Sequence, residues 1–238
     1  MIIYIKIYGI QRTGTNYSEW LLKNNFSDVD VLKHGCMLGW KHGPPTRFEN
    51  IDWKYGKNWE YKPFIHHKEN QKRVQEYIRE ANAKRSSIEL ARKKGRFKYF
   101  FCIRSPYTWI TSKGPKWCGY EGNLKGAIDH WNKTTREYLD FYNSEEDVSF
   151  IAKHADLVNN PSDLLVKISK KFKISFNEPE FINLEKEIGP LTDISKKSFN
   201  REKYSNKNFY NNVSESTIIQ IRNNIDLDLM KRFCFEIK

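Results

Sequence analysis

The chain begins with a strand pattern, a turn between two glycines and a helix pattern. Residues 2–8 are mostly β-branched or aromatic, which is typical of a buried strand, and this run ends at Gly9. Residues 15–24 fit a helix. A buried strand that leads through a short turn into a helix is the opening unit of many sheets with helical crossovers.

The same alternation continues along the chain. Further strands are predicted at 29–33, 97–103 and 148–152, and helices at 124–142 and from Pro161 to 171. Strands that alternate with helices favour a parallel sheet with right-handed crossovers. The predicted fold class is therefore α/β, with a mainly parallel β-sheet flanked by helices, in one domain over residues 1–238.

Composition excludes several classes of protein. With 238 residues, 39% of them hydrophobic, the chain has enough apolar surface for a full core and is not a disordered tail. No apolar run approaches the ~20 residues that cross a bilayer, and residues 1–10 lack the features of a signal peptide. We therefore expect a soluble, cytoplasmic protein. Its four cysteines show neither CxxC nor Cys/His spacing, so no disulfide framework or zinc site is indicated.

The positive charge is concentrated in one stretch. The chain has a formal net charge of +12, and residues 61–100 alone hold 12 basic and four acidic side chains. Val74, Tyr77, Ile78 and Ala81 have the spacing of one helical stripe, which predicts an amphipathic helix with a basic outer face. Two interpretations of this basic face remain. Either it only contacts solvent, or the basic helix 67–98 belongs to a nucleic-acid-binding module.

The first turn, GIQRTGTNY from Gly9 to Tyr17, has the Gly-xxxx-Gly spacing of a P-loop. Thr15 and Asn16 stand where the Lys-Ser/Thr of a nucleotide triphosphatase would be, and the cation is Arg12, inside the loop. Ligands of parallel sheets bind at such turns. The turn therefore predicts an anion site without magnesium, in which backbone N–H groups supply further donors. A small-molecule kinase that binds adenosine triphosphate with magnesium is the alternative.

The third predicted strand ends in IRSPYTWITS, which predicts a second anion site. Arg104 stands at the carboxyl edge of the strand, and Ser112 follows eight residues later. The planar guanidinium donates two parallel hydrogen bonds to phosphate oxygens, and a hydroxyl that returns toward it completes a compact pocket. Together with the first turn, this predicts a nucleotide with anionic groups at two positions.

Four segments resemble the sulfotransferase family that uses 3′-phosphoadenosine 5′-phosphosulfate. QRTGTNY resembles its 5′-phosphosulfate loop, and IRSPYTWITS its 3′-phosphate motif. Residues 154–174, HADLVNNPSDLLVKISKKFKI, are similar to a family segment in which an acidic residue and Leu precede a Pro that opens a helix, and IDLDLMKRFCFEI resembles its C-terminal helix. The resemblance implies a P-loop NTPase-like sulfotransferase fold. It also implies metal-independent transfer of a sulfuryl group to a hydroxyl or amine of an acceptor, such as a carbohydrate or small molecule, leaving adenosine 3′,5′-bisphosphate.

The resemblance also implies roles for individual residues. The 5′-phosphosulfate is expected to contact Arg12, Thr13, Gly14, Thr15 and Asn16, and the 3′-phosphate to contact Arg104 and Ser112. Arg201, in FNREKY, is expected to cover the cofactor as basic C-terminal segments do in the family. A single cation and loop N–H groups suffice without a metal, because a sulfuryl group carries less charge than a γ-phosphoryl group.

The acceptor must lose a proton, so a general base is expected. The family commonly uses a His that follows a Lys, and the long loop after the second strand offers Lys41–His42 and Lys33–His34. We predict His42 as the base, with Lys41 binding the leaving phosphate. His34 is the alternative base.

Overall fold

The computed structural model describes residues 2–32, 38–51, 53, 76, 79–80, 82–176, 178–188, 194–198 and 213–237. Its centre is a four-stranded, all-parallel sheet in the order β2-β1-β3-β4. The strands are β1 (Ile3–Gly9), β2 (Val29–Leu32), β3 (Phe97–Ile103) and β4 (Ser149–Lys153). A separate antiparallel pair consists of β5 (Lys186–Ile188) and β6 (Ile194–Ser198).

Helices cover both faces of the parallel sheet. In chain order they are α1 (Thr15–Asn25), α2 (Arg85–Lys93), α3 (Pro106–Ile110), α4 (Gly114–Trp117), α5 (Leu124–Ser144), α6 (His154–Asn159), α7 (Pro161–Phe172), α8 (Glu215–Asn224) and α9 (Leu227–Arg232). Short 3₁₀ turns lie at Phe48–Asn50, Glu146–Val148 and Glu178–Glu180. The α/β prediction is therefore confirmed: the sheet is parallel and helices flank it.

Two apolar layers form the core, one on each face of the sheet. Alternate residues of β1 and β3 point to opposite faces, and every residue of both strands is buried. One layer packs α1, α6 and α7 against Ile3, Ile5, Ile7, Phe100 and Cys102. The other packs α2, α3, α5, α8 and α9 against Tyr4, Tyr8, Phe97, Tyr99 and Phe101. The chain therefore crosses one face between β1 and β2 and the other face between β3 and β4.

The predicted elements agree with the structure to within a few residues. The third strand has the predicted bounds, and the first, second and fourth strands are each shifted or shortened by one residue at an end. The long helix α5 contains the predicted stripe, with Ile128, Trp131 and Tyr138 all buried. Sequence patterning missed the short helices α3, α4 and α6, because each has fewer than seven residues and shows no full period.

The prediction of a basic helix over residues 67–98 is corrected in part. Phe97 and Lys98 belong to β3, so the helix does not extend to residue 98, and its C-terminal turn ends at Lys93. The apolar stripe at Val74, Tyr77, Ile78 and Ala81 lies outside the described residues.

Three cations of this stretch, Lys84, Arg85 and Arg92, are engaged with carboxylates. Lys84 lies 2.5 Å from Asp30, and Arg85 binds Glu89 at 2.8 Å. Arg92 contacts both Glu49 and Glu145. These pairs neutralise part of the basic face that the nucleic-acid hypothesis requires. Among the described residues, no helix is both long and apolar enough to span a membrane.

The core layers predict that two leucine-to-alanine substitutions differ in their effect on stability. Leu165, on α7, is 0% exposed, whereas Leu90, on α2, is 48% exposed. Leu165→Ala should lower the free energy of unfolding by about 2–5 kcal/mol because it leaves a cavity in a packed layer. Leu90→Ala should change it by less than about 0.5 kcal/mol. Urea unfolding followed by circular dichroism measures both, and equal losses would contradict the assignment of α7 to the core.

Candidate anion site

The candidate site lies where the strand order reverses. The chain passes from β2, on one side of β1, to β3 on its other side, so β1 and β3 are neighbours whose following loops leave over opposite faces. Gly9 and Cys102 are partners in the register at the carboxyl ends of these strands. Open parallel sheets bind ligands in the crevice at this kind of switch point. The segment that follows β1, residues 9–16, is called the glycine loop below.

The shape of the glycine loop depends on its two glycines. A Cβ on Gly9 would lie 2.5 Å from Thr13 Oγ1 and 2.8 Å from the Cys102 carbonyl oxygen, so only glycine permits the loop to fold back on the sheet. Gly14 caps the N-terminus of α1 with φ +96°, in the left-handed region. Thr13 is fully buried, and both its N–H and its hydroxyl donate to the Ile10 carbonyl. Its predicted contact with a 5′-phosphosulfate stays a prediction, and in this structure its donors hold the loop.

Arg12 has a left-handed backbone although it is not a glycine. Its φ is +71°, and its side chain is exposed beside the loop. Such a conformation costs about 1–2 kcal/mol. Two side-chain donors hold the carbonyl groups around it: Arg104 Nη1 donates to the Arg12 carbonyl at 3.1 Å, and Trp109 Nε1 donates to the Gln11 carbonyl at 2.8 Å. These contacts connect the glycine loop to the end of β3 and to α3.

The structure brings Arg104 to the glycine loop, 3% exposed at the end of β3. Its Nε also donates to Thr108 Oγ1 at 3.2 Å, which fixes the plane of the guanidinium. Ser112 follows α3, where its hydroxyl donates to the Trp109 carbonyl at 2.6 Å and accepts from the Gly114 N–H at 3.0 Å. Ser112 therefore closes a turn beside Trp109, and its contact with a 3′-phosphate stays a prediction.

Lys41 and Asn16 meet across the glycine loop. The Lys41 Nζ donates to Asn16 Oδ1, and the Lys41 carbonyl accepts from the Gly9 N–H at 2.8 Å. Lys41 is 4% exposed, and burial lowers its pKa from 10.5 to about 8. The ammonium form therefore predominates at neutral pH, and an anion beside Nζ would favour that form further.

His42 is fixed next to Lys41. Its Nδ1 lies 2.6 Å from the Gly9 carbonyl oxygen, and its ring meets the edge of Trp40 with centroids 4.8 Å apart. A carbonyl only accepts, so Nδ1 carries the proton of the neutral ring and Nε2 has a lone pair. The half-buried ring thus has the tautomer that a general base requires.

Positive charge predominates among the buried ionised groups. In the part of the chain that the structure describes, the buried cations are Lys6, Lys41, Lys98 and Arg104, and the one buried carboxylate is Glu19. Glu19 is already bound by Lys23 at 2.6 Å. Buried charges are costly unless they are paired. Lys41 and Arg104 place two buried positive charges beside the glycine loop.

His154 also lies at this site, although the sequence analysis did not single it out. It is the first residue of α6, directly after β4, and is 5% exposed. Its Cδ2 would lie 3.5 Å from a Cβ on Gly14. Burial, together with Arg104 and Arg12, holds its pKa well below the ordinary value. The sequence feature that could have identified His154 is its position directly after the fourth predicted strand, because the carboxyl ends of parallel strands carry the ligand-binding loops.

Two predicted residues lie outside the described part of the chain, Arg201 and the alternative base His34. Within the described part, no three His, Cys, Asp or Glu side chains are grouped so that they could hold a metal ion. The structure brings Arg12, Gly14, Thr15, Asn16, Lys41, His42 and Arg104 together at one edge of the sheet.

The sequence and the structure were compared with those of known proteins. No family model matches the sequence, and no curated protein matches it. The fold is similar to that of the sulfotransferase domain of an olefin synthase from Synechococcus PCC 7002, with a TM-score of 0.46 and 15% sequence identity. The alignment covers 100% of this chain and 95% of that domain.

The close approach at Gly9 predicts a specific cost for a methyl group. Gly9→Ala should lower the free energy of unfolding by roughly 1–3 kcal/mol, because backbone at Cys102 and side chains of the loop must shift. Gly43→Ala is the matched control, since its Cβ would meet only the Trp40 carbonyl at an ordinary 3.5 Å. Chemical denaturation of both variants measures the difference. A Gly9→Ala protein as stable as Gly43→Ala would contradict the described loop geometry.

Proposed function

We propose that this protein is a sulfotransferase that uses 3′-phosphoadenosine 5′-phosphosulfate and leaves adenosine 3′,5′-bisphosphate. The observation that carries the proposal is the pair of buried cations, Lys41 and Arg104, on either side of a glycine loop at the switch point of a parallel sheet. The nucleotide supplies the sulfuryl group when it is bound.

The residues of the glycine loop are suited to bind the 5′-phosphosulfate group of the nucleotide. The first N–H groups of α1, from Thr15 onward, have no partner within the helix, and together with the helix dipole they favour an anion. Arg12 adds an exposed guanidinium at the same turn. Arg104 would hold the 3′-phosphate, with Ser112 nearby on the segment that follows it.

His42 is proposed as the general base. Its Nδ1–H is bound to the Gly9 carbonyl, so Nε2 receives the proton of the acceptor hydroxyl as the oxygen bonds to sulfur. The hydrogen bond to Gly9 keeps the ring from turning and stabilises the imidazolium that forms.

Lys41 is proposed to stabilise the leaving group. Negative charge develops on the 5′-phosphate as the bond from sulfur to the bridging oxygen breaks. The Lys41 ammonium lies next to Asn16, at the first turn of α1, where it can neutralise that charge. The acceptor is proposed to carry a hydroxyl or an amine.

The same observations bear on the two alternatives. A P-loop kinase places a Lys and a Ser/Thr after the second glycine of the loop, to bind the β/γ-phosphates and magnesium, whereas this chain has Thr15 and Asn16 there. A nucleic-acid-binding module needs open cations along the basic stretch, yet Lys84, Arg85 and Arg92 are bound to carboxylates. Both observations favour the sulfotransferase.

Ligand-induced stabilisation tests the three functions against one another. Adenosine 3′,5′-bisphosphate at ~100 times its dissociation constant should stabilise the fold by roughly 2.7 kcal/mol, a rise in Tm of about 5–10 °C. Adenosine triphosphate with magnesium and a mixed-sequence oligonucleotide should each give smaller shifts. A shift with the triphosphate but none with the bisphosphate would overturn the proposal in favour of a kinase.

Two arginine variants, one at the proposed site and one away from it, test the assignment of the 3′-phosphate site. Arg104→Gln should abolish the shift with bisphosphate, because it removes a buried cation from the proposed 3′-phosphate site. Arg136→Gln should keep the shift, since Arg136, on α5, is bound to Asp226 and Asp228 near the C-terminus and, in the described structure, to no residue of the glycine loop. Equal shifts in the two variants would remove Arg104 from the binding site.

The role of His42 predicts a separation of binding from turnover. His42→Ala should lower the rate of sulfuryl transfer by about 10²–10⁴-fold, the usual contribution of a general base, and leave bisphosphate affinity nearly unchanged. Transfer is measured with ³⁵S-labelled donor and the best acceptor from a panel of hydroxyl and amine compounds. Added imidazole should restore part of the rate in His42→Ala. Full activity of the variant would show that another group takes the proton.

A further inference from the structure

Lys6 is a charged residue in the interior of the parallel sheet. It stands in β1 between Ile5 and Ile7, and it is 0% exposed. An ammonium group that is taken out of water costs free energy unless other contacts compensate for the lost hydration. The Nζ of Lys6 donates to the Gly39 carbonyl at 2.7 Å and lies 5.3 Å from the centroid of the Tyr8 ring. Its charge is therefore directed at the segment that follows β2 and not at solvent.

Tyr8 holds the same segment from the same face of β1. Tyr8 and Lys6 are two residues apart, so their side chains leave the strand on one side. The Tyr8 hydroxyl donates to the Leu38 carbonyl at 2.6 Å and accepts from the Thr46 N–H at 3.1 Å. Residues 38–46 are called the return segment below. Its first residues are thus held by two side chains of a buried strand.

The return segment carries Lys41 and His42 to the glycine loop. Gly39 has φ +82°, in the left-handed region, so the chain turns at the residue whose carbonyl Lys6 holds. Two residues later the Lys41 carbonyl accepts from the Gly9 N–H, and the His42 ring is bound to the Gly9 carbonyl. The contact of Lys6 therefore lies two residues before the proposed leaving-group cation and three before the proposed base.

We propose that Lys6 is a positioning residue of this site: its ammonium holds the Gly39 turn and thereby fixes Lys41 and His42 against the glycine loop. This inference rests on the proposed function, because Lys41 and His42 have their roles in sulfuryl transfer there. An apolar side chain at position 6 has no donor for the Gly39 carbonyl. The return segment would then lose its attachment at Gly39 while those to Tyr8 remain.

The charge of Lys6 also acts on Lys41. The charged and titratable groups that face Lys41 are Glu19 and Lys23 on α1, Lys6 on β1 and Cys102 on β3. Glu19 is bound to Lys23, and burial raises the pKa of the Cys102 thiol to about 12, so that thiol is neutral. The pKa of Lys41 is about 8: burial lowers it most, Glu19 raises it, and the like charge of Lys6 lowers it. Removal of the Lys6 charge should therefore raise the pKa of Lys41.

Anion binding above pH 7 should report this effect. The second pKa of a phosphate monoester is about 6, so adenosine 3′,5′-bisphosphate changes its own charge little at higher pH. Lys41 loses its proton as the pH rises through about 8, and the site then offers one positive charge fewer. The association constant of the wild-type protein should therefore fall by up to about tenfold between pH 7 and pH 9. In Lys6→Met the Lys41 ammonium persists to higher pH, so the fall should be smaller.

Calorimetry with adenosine 3′,5′-bisphosphate at pH 7 and pH 9 tests the inference in Lys6→Met. Methionine is apolar and close to lysine in length, so the variant should fold. The ratio of the two association constants is taken within each protein, which cancels any overall loss of affinity. Lys98→Met is the matched control, since Lys98 is also buried in an inner strand but lies over the Phe172 ring, in the core layer on the other face. It should keep the wild-type ratio.

Turnover measures the positional effect. The rate of sulfuryl transfer at pH 7, measured with the ³⁵S-labelled donor, should fall by up to about 10²-fold in Lys6→Met, because a displacement of reacting groups by about 1 Å has an effect of that size. Lys98→Met should keep the wild-type rate.

The outcomes separate the inference from the proposed function. If the wild-type protein binds bisphosphate and Lys6→Met keeps either the wild-type ratio or the wild-type rate, the role of Lys6 is overturned and the sulfotransferase proposal stands. Absence of bisphosphate binding to the wild-type protein overturns both. If Lys6→Met fails to fold, nuclear magnetic resonance of the wild-type protein with ¹³C-labelled lysine decides. Lys6 should then give the signal of an ammonium at pH 7, and a neutral amine overturns the inference.

Discussion

The parallel pairing of β1 with β3 is the constraint on which the site depends. Their register places Gly9 beside Cys102, with the strand carboxyl ends level and the following loops diverging over opposite faces. Because both strands are buried on both sides, a slip by one residue would move every side chain into the opposite core layer, where its packing partners are absent. The apolar core thus fixes the position of the glycine loop relative to Arg104.

The sequence was most informative where structure depends on local periodicity. The buried run FKYFFCI matched β3 at both ends, and the apolar stripe of α5 gave a 21-residue helix within two residues. The glycines at 9 and 14 also marked the loop, since a left-handed cap and a close approach both require glycine. Strand ends in turn identified Arg104, because the direction of a parallel strand fixes which end carries the loops.

Features that depend on distant segments were beyond sequence patterning. The left-handed backbone of Arg12 is held by Arg104 and Trp109, which are about a hundred residues away in the chain. No local sequence pattern predicts this conformation. His154 lies near the loop because β4 pairs with β3, and this pairing is not visible in any local pattern of the sequence. The bond of His42 to the Gly9 carbonyl likewise arises from the return of residues 41–42 to β1.

The hydrogen bonds to the Gln11 and Arg12 carbonyls have a consequence for recognition. Folding sets the glycine loop in its curved form, because packing of α3 delivers the Trp109 donor together with the rest of the core. The conformational entropy of ordering the loop is then lost during folding and not when a ligand arrives. If the proposed function is correct, a loop ordered in advance in this way would discriminate between anions by their shape, because its N–H donors would already be in place before the anion binds.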